Sequence, residues 1–146
     1  MTLQNLLAIG SLNRFDPQRE DIQRLLTAAE RNLADAGVAA ISDENRFDAA
    51  YKCIMQCATA SLWANGYRTS TNKPGHHQAV IQALPLTIGL DTRTMIVLDG
   101  LRKQRKLSDY DGNPLSPTVV EACQAQATTL LARVRAWLVA HRSDLC

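Results

Sequence analysis

The chain has 146 residues, 46% of them hydrophobic, which suits one domain with a sizeable core and gives no compositional reason for a second. A formal net charge of +2 and a pI near 8.4 exclude a nucleic-acid binder marked by overall charge, so any basic footprint has to be local. No apolar run approaches the roughly 18 to 20 residues that cross a bilayer, and the N-terminal stretch lacks the cationic start of a secretion signal, so a soluble cytoplasmic protein with no membrane association is expected.

A short apolar piece, Leu3 to Ile9, is followed by a loop marked by Gly10, Ser11, Asn13 and Pro17, and residues 1–16 are expected to pack on a bundle as an N-terminal extension. Ile22, Leu26, Ala29, Leu33 and Ala36 then recur at helical spacing and predict a helix over Pro17–Ala36, with Asp16 as cap, Pro17 in the first turn and Gly37 as stop. Ser42-Asp-Glu-Asn45 is the next start signal. Phe47, Tyr51, Ile54, Ala58 and Leu62 predict a second long helix that ends near Asn65-Gly66 and runs antiparallel to the first. Tyr67–Gly75, rich in Thr, Ser, Asn, Lys, Pro and Gly, reads as a loop that delivers His76 and His77 to a shorter third helix through Leu84, where Pro85 ends or kinks it.

Asp91 or Thr92 starts a fourth helix that runs to about Leu107 and turns Met95, Leu98 and Leu101 inward. Gly100 weakens it by roughly 1 kcal/mol relative to Ala. After a loop over Ser108–Ser116, Pro117 opens a last helix through about His141, with a stripe of Val120, Cys123, Ala127, Leu130, Val134 and Leu138. Strand-like alternation never persists, and no hairpin dipeptide sits between two apolar runs. The fold class is therefore all-α: an up-and-down bundle of four to six helices in a single domain, 1–146. The four amphipathic stripes leave more apolar face than a monomer of this size readily covers, so a homodimer burying part of the helices that carry Tyr51 and Leu98 is expected.

Four cysteines occur, at Cys53, Cys57, Cys123 and Cys146. Cys53 and Cys57 lie one helical turn apart and would chelate a metal only with two further ligands, for which His76 and His77 are the candidates. The plainer reading makes both thiols small apolar fillers of a helix interface. No metal or cofactor is expected.

Leu98, Leu101 and Arg105 share one helix face, so a guanidinium stands where the core pattern calls for another apolar side chain. Such a charge needs water, a counter-charge or a ligand. One reading has Arg105 snorkel out where the helix leaves the core; the other has it face a ligand. Arg102, Lys103, Arg105 and Lys106 cluster at the helix end, where cations complement the macrodipole. Asp109, Tyr110 and Asp111 follow just past it, placed to pair with the cations or to frame an anion pocket. Arg102 and Arg105 project together and suit bidentate contact with a phosphate, and Tyr110 suits stacking or hydrogen bonding to a base.

The order Phe47-Asp-Ala-Ala-Tyr51, Asn65-Gly66-Tyr67-Arg68, Gly75-His76-His77, Leu101-Arg102 and Asp109-Tyr110-Asp111 resembles HEPN domains over about Ser42 to His141. The resemblance implies a helical HEPN-like core over 42–141, homodimerisation, and association with RNA or nucleotides. It also implies a toxin–antitoxin or defence setting beside a nucleotidyltransferase-type partner protein. Active members are metal-independent endoribonucleases whose signature is an Arg, commonly followed by Asn, and a His about five residues on. Arg105 matches the Arg, Lys106 stands at the Asn position, and Tyr110 falls where the His would be, which makes Arg105 and Tyr110 the catalytic candidates. Arg102, Lys106, Asp109, His76 and His77 are the candidates for binding nucleotide or RNA. A phenol with an ordinary pKa near 10 is a poor base at pH 7, so catalysis is expected to be degenerate or weak unless His76 or His77 substitutes. The alternative from another class is a non-catalytic homodimeric interaction or regulatory module in which Arg105 and Asp109 or Asp111 lock the helix end.

Overall fold

The computed structural model of the chain describes residues 1–70, 75–112 and 114–146. Seven α-helices stand among them, more than the expected four to six: α1 (Leu3–Ala8), α2 (Arg19–Ala36), α3 (Asp43–Ala64), α4 (His76–Gln82), α5 (Leu84–Thr87), α6 (Thr92–Asp111) and α7 (Pro117–His141). They form an up-and-down helical bundle. The excess comes from short elements: α1, which Thr2 caps by accepting from the Asn5 N–H at 3.1 Å, and α5. Pro85 lies in the first turn of α5, where a missing N–H costs nothing, so the expected single helix through Leu84 is divided into α4 and α5.

The apolar stripes lie where their spacing put them. Phe47, Tyr51, Ile54, Ala58 and Leu62 of α3 are buried, as is the whole α7 stripe from Val120 to Leu138. α3 is enclosed on most of its circumference because Ala50, Cys53, Cys57, Ala60 and Ser61 are small enough for α2 and α7 to approach closely. Cys53, Cys57 and Cys123 are buried in this core. The buried apolar side chains form one cluster, against which Leu3, Leu6 and Leu7 of the N-terminal segment pack half-buried. No described helix is long and apolar enough to cross a membrane.

Three boundaries differ from expectation. α2 begins at Arg19 and not Pro17, because Gln18 is extended and its backbone N–H donates to the Asp21 carboxylate at 3.1 Å. A two-stranded antiparallel ribbon also forms where no strand was expected. β1 (Leu12–Arg14) pairs with β2 (Tyr67–Thr69), Leu12 opposite Thr69 and Arg14 opposite Tyr67. Three residues are too few for alternation to show, and their backbone groups are satisfied only across the pair. Tyr67–Thr69 is thus not loop, while residues 71–74 of the expected loop lie outside the described residues.

The third difference bears on function. α6 continues through Asp111, so Asp109, Tyr110 and Asp111 belong to its last turn and do not lie past it. Gly112 stops the helix with φ +65°, a left-handed conformation that suits glycine, and its N–H donates to the Ser108 carbonyl at 3.0 Å.

Candidate functional site

The extension of α6 sets the geometry of the cation cluster. Arg102, Arg105, Lys106 and Asp109 fall at i, i+3, i+4 and i+7 and so share one face. That face looks onto α3, where Asp48 and Tyr51 stand one turn apart, and onto the start of α4. Between these elements lies an open hollow of about 460 Å³. Arg102, Arg105, Lys106, Asp109 and Tyr110 line it from α6, Tyr51 from α3, and His77, Gln78 and Gly75 from the α4 end. His76 is not among the lining residues; its ring meets that of His77 edge-on, centroids 5.1 Å apart.

Arg105 is held in place by two contacts. Its Nε donates to Asp48 Oδ1 at 2.7 Å, and its guanidinium carbon lies 5.1 Å from the centroid of the Tyr51 ring, a cation–π arrangement. Its counter-charge is therefore Asp48 from another helix, not the nearby Asp109 or Asp111 expected for a helix-end lock. The side chain is neither sealed in nor free, at 29% exposure. Partial burial works against its charge, but the hydrogen bond and charge of Asp48, with Asp109 and Tyr51, outweigh burial and leave its pKa above the ordinary value. Arg102 is tied within α6, its Nε 2.7 Å from Asp99 Oδ1. Lys106 is exposed and makes no ion pair among the described residues.

Tyr51 is the residue that sequence reasoning placed on the apolar stripe and in the HEPN-like pattern, but not among the site residues. It is 2% exposed, yet its hydroxyl has no hydrogen-bond partner among the described residues. An unpartnered buried hydroxyl ordinarily costs about 1–3 kcal/mol. Burial pushes its pKa up to about 12, with Arg105 and Arg102 opposing, so near neutral pH this phenol is protonated and able to donate. The available signal was that an aromatic with a polar handle stood on a stripe otherwise made of hydrocarbon. Tyr110, by contrast, is 79% exposed at the mouth of the hollow.

His77 lies with its ring 6.3 Å from that of Tyr51. Burial, then His76, Arg105 and Arg102, lower its pKa below the ordinary 6.5, so the imidazole is mostly neutral at pH 7. A neutral imidazole accepts a proton; a protonated phenol does not. Of the residues considered for a base, His77 lines the hollow and has the right charge state.

The cysteines and histidines do not converge. Cys53 and Cys57 face the core while His77 faces the hollow, and no group of three or more His, Cys, Asp or Glu among the described residues is placed to hold a metal ion. The Cys53 thiol is held low by its hydrogen bond with Cys57, whose own thiol is pushed up by that bond and by burial. What the hollow offers is three cations, one carboxylate, the Tyr51 side chain and a neutral imidazole around a solvent-open space, a set suited to an oxyanion such as phosphate. No family model, curated protein or solved structure matches the chain.

Proposed function

We propose that this chain is an HEPN-like protein that binds RNA or a nucleotide through a phosphate held in the α3–α4–α6 hollow. The observation that carries the reading is the convergence of Arg102, Arg105 and Lys106 with Tyr51 and His77 on one open space. Arg105, oriented by Asp48, contacts the phosphate; Tyr51 donates to one of its oxygens; Lys106 supplies uncompensated charge. Asp109 limits the anionic charge that the site accepts.

Endoribonuclease activity in this reading is weak and needs no metal. His77 accepts the 2′-hydroxyl proton as that oxygen attacks the phosphorus; the P–O5′ bond breaks to leave a 2′,3′-cyclic phosphate, the departing 5′-oxygen takes up a proton from water, and Arg105 stabilises the charge of the pentacovalent phosphate. Tyr110, exposed at the mouth, contacts the strand and is not the base. The protein works as a homodimer in a toxin–antitoxin or defence setting, beside a nucleotidyltransferase-type partner. Exposed Ile96, Val97 and Leu107 on α6 support the dimer. The test is binding and cleavage of a mixed-sequence RNA by wild type and Arg105→Ala: loss of both in the variant is expected, and unchanged binding contradicts the reading.

A second reading is favoured by the Arg105–Asp48 pair itself. In it the chain is a non-catalytic homodimeric interaction module, and the pair fastens α6 to α3. Arg105→Ala would then change stability without any change in nucleic-acid affinity.

A further inference from the structure

The phosphate hollow has a neighbour. A second concavity, of about 540 Å³, lies along α4, α5, the start of α6 and the N-terminal segment, and it shares Gly75 and Gln78 with the first. Its character is different. Leu6, Ala83, Leu86 and Met95 give it apolar walls, no charged side chain lines it among the described residues, and its polar side chains include the amides of Gln78 and Gln82. Gln78 stands on the boundary, facing both spaces.

A largely apolar groove with no charged side chain among its described lining residues suits an anion poorly. A phosphate in the first hollow therefore leaves the second for something flat, neutral and able to exchange hydrogen bonds with an amide. A heterocyclic base has those properties: its faces tolerate apolar walls, and its edge offers the donor and acceptor pattern that a glutamine amide matches. Two observations point independently to the ends of one ligand. The cations Arg102, Arg105 and Lys106, gathered beside Tyr51, mark the phosphate end. The amide-bearing apolar groove marks the other.

We infer that the two concavities form one bipartite site for a nucleotide unit, with the phosphate among Tyr51, Arg102 and Arg105 and the base in the groove between Gln78 and Gln82. This rests on the phosphate reading above and adds what lies beyond the phosphate. Two sources supply such a unit, a free mononucleotide or one residue of an RNA strand, and the test separates them.

Binding of ribose 5-phosphate, adenosine 5′-monophosphate and a short 5′-phosphorylated single-stranded RNA is measured by calorimetry on the full chain. Adenosine 5′-monophosphate is expected to bind at least about tenfold more tightly than ribose 5-phosphate, because only the former fills the groove. Gln82→Ala and Leu86→Glu change exposed side chains, so folding is expected to persist, checked by circular dichroism. Both variants are expected to bind adenosine 5′-monophosphate about as weakly as wild type binds ribose 5-phosphate. A strand that binds far more tightly than the mononucleotide, and loses that advantage in Leu86→Glu, assigns the unit to RNA; equal affinities assign it to a free nucleotide. If ribose 5-phosphate and the mononucleotide bind equally, the groove is not a base site, although the phosphate reading stands. If no phosphate compound binds, both fall together.

Discussion

Arg105 and Asp48 meet at 2.7 Å across two helices, with the Tyr51 ring beneath the guanidinium. The ion pair is partly solvated, so its net contribution to stability is small, under about 1 kcal/mol. Its larger effect is positional, since it fixes the Nε edge of a flexible side chain and aims the remainder into the hollow. Asp48→Ala is therefore expected to lower stability by less than about 1 kcal/mol in a denaturant titration, while weakening phosphate binding less than Arg105→Ala does. Equal effects of the two variants on binding would deny Arg105 a direct contact.

Tyr51→Phe separates stability from function. Removing a buried hydroxyl without a partner is expected to leave stability unchanged or raise it by up to about 1 kcal/mol, and to weaken phosphate binding several-fold. A variant that is clearly less stable would mean that the hydroxyl serves the fold.

His77 makes the pH dependence specific. Its folded pKa lies below the ordinary 6.5, so between the two values the unfolded chain binds more protons. The contribution is complete above about pH 6.5 and is lost as pH falls through the folded pKa. The imidazole is expected to titrate below 6.5 by NMR, and His77→Asn to flatten the fall in stability on the acid side. A midpoint above 6.5 would show that a carboxylate, and not burial with the neighbouring cations, governs this ring.

Gly112 ends α6 at φ +65°, directly after the Asp109–Asp111 turn. Gly112→Ala is expected to cost about 1 kcal/mol in thermal or chemical unfolding. No loss at all would mean that the helix end relaxes without that left-handed residue.

Ile96 and Val97 lie exposed on α6, and Gly100, one turn on, has open space beside it. Light scattering is expected to show a dimer for the wild type and a monomer for Ile96→Glu. A monomeric wild type at micromolar concentration would contradict the homodimer.

Much of the architecture was legible because its cause is periodic. Each position of the α7 stripe is buried for the same reason it was noticed, spacing of three and four residues between apolar side chains. The ribbon was not legible. Leu12–Arg14 and Tyr67–Thr69 are strands only because they face one another, a relation that neither segment expresses alone. The end of α6 was misjudged because Ser108-Asp-Tyr-Asp111 is a set of residues that favours turns, whereas the actual stop is the glycine that follows. Most of the cation cluster could be read at the hollow's edge from local spacing. Asp48 and the Tyr51 ring could not, since they meet Arg105 only through the packing of α3 on α6.

Fluorescence anisotropy of a labelled, mixed-sequence single-stranded RNA, titrated with wild type and Arg105→Ala at two salt concentrations, tests the phosphate site most directly. Wild type is expected to bind with an affinity that falls as salt rises, and the folded variant to bind at least about tenfold more weakly with a shallower salt dependence. Equal binding by the two proteins, or no binding by wild type while Arg105→Ala lowers the melting temperature, would contradict the account and leave the Arg105–Asp48 pair as a fastening between helices.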